Sequence, residues 1–160
     1  MLVTINTDAC FHSKLKYGGY AFWAVSNDFK ITKSGSFRYK CVSPDDAEAK
    51  CIINALKVVL LAHSGITKII INTDSLNATA VLKNDKNHIV RYARLNHKQI
   101  CILQIAYKKI LFQNKNNVLI EFRHVKAHSL KNDARSFVNE WCDVEAKKRM
   151  WSKINSMQKK

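Results

Sequence analysis

Asp8, Glu48, Asp74 and Asp143 are four carboxylates set inside apolar patterns. The run IIINTDS, residues 69–75, reads as a buried strand that stops on Asp74. Glu48 shares a helical face with Ile52, Ala55 and Val59, at separations of four, seven and eleven residues, so it points at a core. Asp143 repeats the pattern in a stripe with Asn139, Ala146 and Met150, and Asp8 closes the first apolar run. A carboxylate buried alone costs several kcal/mol, so each needs a cation, a metal or a proton. Gathered in one place, carboxylates repel unless divalent ions neutralise them, and hard oxygen donors suit Mg²⁺ or Mn²⁺ rather than zinc. Singly, each has an ordinary use. Asp74 can cap the helix that SLNA begins, Glu48 can complement a helix dipole, Asp8 can start a turn and Asp143 can pair with a lysine. Together, in a basic chain, they point to one metal-dependent centre.

The elements that must position them follow from periodicity and punctuation. Residues 2–7 and 18–25 (GGYAFWAV) read as strands, with a third over 35–42 (GSFRYKCV), in an antiparallel meander. Pro44 and two aspartates open a long helix that Gly65 follows. The near-continuous apolar run 68–74 is a strand buried on both faces, and strand, helix, strand order implies a parallel crossover. Asp8 and Asp74 would then share one sheet edge. Helices are predicted over 75–84, 87–98 and 99–114, a strand over 117–125 and a closing helix over 134–151. The reading is one domain over 1–152, with 153–160 a frayed basic tail.

Lysine and arginine number 27 against 12 acidic residues, a formal net charge of +15 in 160 residues. A polyanion is the natural partner. The five cysteines are scattered, with no CxxC spacing, so neither a disulfide framework nor a zinc site is signalled. No apolar stretch approaches the roughly 20 residues that span a bilayer, and no signal peptide precedes the first strand. A cytoplasmic protein, monomeric and without a membrane partner, is expected.

The segments TDAC, GGYAFWAV, DDAEAKCIINAL, INTDS, VKAHS and NEWCDVEA resemble, in order and spacing, type 1 ribonuclease H over roughly residues 3–150. The resemblance implies an α/β ribonuclease H-like fold: a mixed five-stranded sheet of strand order 3-2-1-4-5 flanked by helices. It implies an endonuclease that cuts the RNA strand of RNA/DNA hybrids with two Mg²⁺ ions, for which Mn²⁺ can substitute, leaving 3′-hydroxyl and 5′-phosphate ends. By motif, the metal ligands fall on Asp8, Glu48, Asp74 and Asp143, and the family's mobile histidine on His128. Selectivity for RNA requires contacts to 2′-hydroxyls, for which the segment holding Cys10, His12 and Ser13, and the side chain of Asn77, are candidates. Asn139 is expected to support the site or the hybrid, and Arg91, Arg94 and Lys98 to form one basic helical face that grips it.

The sequence departs from the family pattern in three places. Ala9 stands where glycine is common, SPDD stands where asparagines often precede the glutamate, and the His128 to Asp143 separation is long. HVKAH superficially mimics zinc spacing, but it lies on strand and loop and lacks the glutamate of the zinc motif, so His124 is expected to pack in the sheet. The rival readings are a catalytically silent binder of hybrid or double-stranded RNA, and a related nuclease acting on another substrate.

Overall fold

The computed structural model describes residues 1–92, 94–113, 117–125 and 134–159. Strands β1 (Leu2–Phe11), β2 (Gly18–Val25) and β3 (Lys30–Ser36) precede helix α1 (Pro44–Ala62) and strand β4 (Lys68–Thr73). Helices α2 (Leu76–Lys83), α3 (Lys86–Tyr92) and α4 (His97–Gln113), strand β5 (Leu119–His124) and helix α5 (Ala134–Gln158) complete the order. The five strands form one sheet, β3-β2-β1-β4-β5. β1, β2 and β3 are antiparallel neighbours, whereas β4 runs parallel to β1 and to β5. This is the mixed sheet and strand order expected.

Strand alternation sorts the two faces. Phe22 and Ala24 on β2, with Val3 and Ile5 on β1, join Ile52, Leu56 and Val59 of α1 in the main core. Ala21, of opposite parity, packs instead against Cys142 and Ala146 of α5. Gly19 explains how closely that helix lies: a Cβ built there would come within 2.0 Å of the Ala146 carbonyl oxygen. Ser43 caps α1 by accepting from the Asp46 amide at 3.1 Å, and the Asp46 carboxylate accepts from the amide of Val42, the residue before the cap, at 2.9 Å, so the two bonds together fix the helix start. Among the described residues no helix is long and apolar enough to cross a membrane.

Four expectations need correction. The third strand covers Lys30–Ser36, not 35–42. Its polar, half-exposed edge sequence hides it, while the amides of Phe37 and Cys41 donate to Gly18 at the start of β2 and to Lys16 in the β1–β2 connection, and both side chains pack beneath α1. β1 runs on to Phe11, so Asp8 lies inside it, paired with Ala21, rather than at its end. The helix expected over 87–98 ends at Tyr92. A new helix starts at His97, where Asn96 accepts from the Gln99 amide and Gln99 accepts in return from the Asn96 amide. Finally, α5 continues through Gln158, with Ile154 2% exposed and residues 155–158 exposed, so the segment expected as a frayed tail is helical and anchored at Ile154.

Candidate metal centre

The parallel pairing of β1 and β4 ends at Asn6 opposite Asn72, where the two side chains share a buried 2.9 Å hydrogen bond. Carried two residues further, the same register sets Asp8 beside Asp74. Because β4 stops at Thr73, the Ala9 amide has no β4 partner. It donates instead to Glu48 Oε1, at 3.0 Å, which draws the α1 carboxylate over the open edge. One carboxylate oxygen each from Asp8, Glu48 and Asp74 lies within 4.8 Å of the others. Asp74 is exposed, Asp8 half-buried and Glu48 8% exposed. Ser75, not Asp74, caps α2, since its hydroxyl accepts from the Ala78 amide at 3.1 Å.

The electrostatics of this edge are unfavourable for the protein alone. Burial, then the charges of Asp74 and Asp143, push Asp8 up to about 7. Burial and the neighbouring Asp8 and Asp74 raise Glu48 well above the usual carboxylate range. Glu48 Oε2 is buried without a hydrogen-bond partner among the described residues. An orphaned, buried carboxylate oxygen beside two more carboxylates is a donor set that fits a hard divalent cation.

Asp143 stands at the rim of this group. Its charge acts on Asp8, but it is not among the three carboxylates within 4.8 Å. Its Oδ2 is held by Lys147 Nζ at 2.6 Å, one turn along α5, and the side chain is 26% exposed rather than fully inward. Cys51, buried beneath, donates its thiol to the Asp8 carbonyl at 3.3 Å and braces the strand there.

The remaining residues scatter around this edge. His128 lies outside the described residues. Cys10 is half-buried on β1, with its thiol raised by burial. His12 Nδ1 accepts from the Leu15 amide at 3.2 Å and orders the turn that exposes Ser13. Asn139 is half-buried on α5, one turn before Asp143. Asn77 donates to Asp45 Oδ1 at 3.1 Å, so part of its amide is engaged within the protein. Arg91, Arg94 and Lys98 do not share one helix: Arg91 is in α3, Arg94 in the following connection and Lys98 in α4. His124 does not pack inside the sheet. It is exposed at the end of β5, with Nε2 3.1 Å from the Asp74 carbonyl oxygen, a group that only accepts. Sequence reasoning placed His124 inside the sheet, allowed Asp143 a lysine partner without naming Lys147, and gave Asp45 no role beyond opening α1. For Lys147 the i, i+4 spacing to Asp143 was available; for the other two the contacts cross between elements.

Solved structures share this architecture. The N-terminal RNase H domain of Rv2228c from Mycobacterium tuberculosis, as a fusion with maltose-binding protein, superposes with a TM-score of 0.69 at 16% identity, covering 98% of each chain. RNase H1 from the halophilic archaeon Halobacterium salinarum NRC-1 gives 0.66 at 16% identity, over 95% of this chain and 99% of its own. LC11-RNase H1, solved in complex with an RNA/DNA hybrid, gives 0.65 at 11% identity over 95% and 99%. No curated protein matches the sequence at a significant level. The sequence model that does match is that of RNase H, over residues 2–150, and this chain belongs to that family.

Proposed function

We propose that the protein is an endoribonuclease that hydrolyses the RNA strand of RNA/DNA hybrids with the help of two Mg²⁺ ions, which Mn²⁺ can replace. The observation that carries this reading is the approach of Asp8, Glu48 and Asp74 within 4.8 Å in a chain of net charge +15. Asp8, Glu48 and Asp74 would hold one cation, and Asp8 with Asp143 the other. When bound, such ions supply Lewis acidity: a more acidic water and a stabilised leaving oxygen.

The chain's own residues do the rest. The Ala9 amide fixes one oxygen of Glu48 and leaves the other free to bind. The β1–β4 pairing holds Asp8 within one strand and Asp74 directly after the end of its neighbour, the rigid support that a metal centre requires. His128 is assigned to proton transfer or product departure, and Asn139 to support of the Asp143 side. Main-chain groups near Cys10, His12 and Ser13, with Asn77, are assigned to the 2′-hydroxyls of the RNA strand. The products carry 3′-hydroxyl and 5′-phosphate ends. Five free cysteines favour a reducing, cytoplasmic setting for a monomer.

The test is cleavage of labelled RNA/DNA hybrid, duplex RNA and duplex DNA with Mg²⁺, with Mn²⁺ and with chelator, beside Asp74→Asn. Hybrid-selective, metal-dependent cutting that the substitution abolishes is the expected result. Binding of hybrid without cutting under either metal would instead identify a silent binding domain of the same fold.

A further inference from the structure

One buried carboxylate next to the centre has no part in it. Asp45 lies one turn before Glu48 at the start of α1 and is 7% exposed. Its Oδ1 accepts from the Asn77 side-chain amide of α2 at 3.1 Å, and its Oδ2 accepts from the Arg94 backbone amide at 2.9 Å. Asn77 in turn places its carbonyl oxygen 2.8 Å from His88 Nε2 of α3. The His88 amide donates to Asp85 Oδ1 at 3.3 Å, at the start of the same helix. A single side chain thus ties α1, α2, α3 and the connection into α4 together beside the carboxylate edge.

The residue type matters. Both Asp45 contacts are donors, and only a carboxylate presents two acceptor oxygens; an asparagine would turn an NH₂ toward one of them. Hydrogen bonds to a buried, ionised acceptor are also stronger than neutral ones. The anchored atom is a main-chain amide, so the contact fixes the path of the chain rather than one rotamer. That chain carries Arg94, exposed, and then Lys98, exposed in the first turn of α4.

We propose that Asp45 is a positioning residue: it locks the basic α3–α4 corner against the metal edge, so that Arg94 and Lys98 meet the phosphates of a bound hybrid in a fixed register. The inference rests on the hybrid reading above. It accounts for a cationic corner whose residues share no helix face yet leave the protein from one anchored point.

The test measures hybrid binding in chelator across about 50 to 300 mM salt, together with KM and kcat in Mg²⁺. The proteins are the wild type, Asp45→Ala, Asp45→Asn, the pair Arg94→Ala/Lys98→Ala, and that pair combined with Asp45→Ala. Asp45→Ala should weaken binding about three- to tenfold and flatten the log–log salt slope by about one. The loss should fall on KM more than on kcat, and Asp45→Asn should lose less. With Arg94 and Lys98 already replaced, Asp45→Ala should cost little more, because the cycle is coupled. An unchanged salt slope with additive losses would reduce Asp45 to a stability role and overturn the inference. If Asp45→Ala does not fold, Asp45→Asn reads the same slope and the same coupling at smaller amplitude. Failure of the wild type to bind hybrid at all would instead overturn the functional reading on which this one stands.

Discussion

Asp8 and Glu48 hold their protons above the usual carboxylate range because burial and mutual repulsion both disfavour the charged forms. For Asp8 the folded value of about 7 exceeds the ordinary 3.8, so between those values the folded state binds more protons than the unfolded one. Stability of the metal-free protein should therefore fall as pH rises through that window. Glu121 and Glu145, both lowered by hydrogen bonds to lysine, act in the opposite sense, but their contribution is lost only as pH falls below about 4.5. Thermal denaturation in chelator should thus give a lower Tm at pH 8 than at pH 5.5, and Mg²⁺ should restore several degrees at pH 8 and little at pH 5.5. Asp8→Asn should raise the metal-free Tm at pH 8 and remove the Mg²⁺ gain; a chelated protein more stable at pH 8 than at pH 5.5 would contradict the geometry. Lys147 supplies the second test. Its ammonium competes for Asp143, so Lys147→Gln should tighten divalent binding about two- to fivefold by calorimetry, in line with an exposed ion pair worth about 0.5–1 kcal/mol, while Lys147→Arg should not. Glu48 was legible from its sequence because a helical period states which face is buried, and Asp74 because an apolar strand stopped on it. His124 and Asp45 were not, since their partners sit 50 and 49 residues away and no local pattern announces them.

The elements place these residues through two features of different legibility. β4 carries the apolar run Ile69–Ile71 and is buried at five of its six residues, so its sequence declares it. β3 is an edge strand whose lysines and threonine face solvent, and edge strands keep such polarity to avoid pairing with other chains. That is why the aromatic run just after it looked more strand-like. The break between α3 and α4 was hidden because Asn96 and Gln99 cap each other within a stretch that otherwise keeps helical spacing. The tight seating of α5 on β2 can be tested. Gly19 leaves no room for a Cβ, which would come within 2.0 Å of Ala146 and 2.6 Å of the Met150 amide, and both obstacles are backbone. Gly19→Ala must push α5 off the sheet, carrying Asp143 away from Asp8. It should cost about 3 kcal/mol or more of stability by denaturant unfolding. Because the shift moves Asp143, the proposed fourth ligand, it should also weaken divalent binding in protein that remains folded. Gly65→Ala is the control. Gly65 has φ of 77° but open space around it, so alanine there should cost about 1 kcal/mol in backbone strain and leave the metal centre unaltered.

On the scale of the whole molecule, the formal net charge of +15 over 160 residues, with all 12 acidic side chains already counted, leaves a large cationic excess. Such a charge attracts any phosphate backbone through release of condensed counterions, an effect that does not depend on the sugar or the sequence. The protein should therefore bind hybrid, duplex RNA and duplex DNA with similar affinity at about 50 mM salt, and lose affinity for all three steeply as salt rises. Under the proposed function, discrimination arises elsewhere, in contacts to 2′-hydroxyls across the minor groove and in the placement of the scissile phosphate at the Asp8 edge. These are short-range and only weakly screened. Raising salt should therefore lower overall affinity while increasing the preference for hybrid, because the shared electrostatic part shrinks and the specific part remains. Competition binding with unlabelled duplexes at about 50 and 250 mM salt measures this directly. A preference that stays constant, or declines, as salt increases would mean that the basic surface itself distinguishes the hybrid, and that selectivity is a property of the charge pattern rather than of the edge where the carboxylates meet.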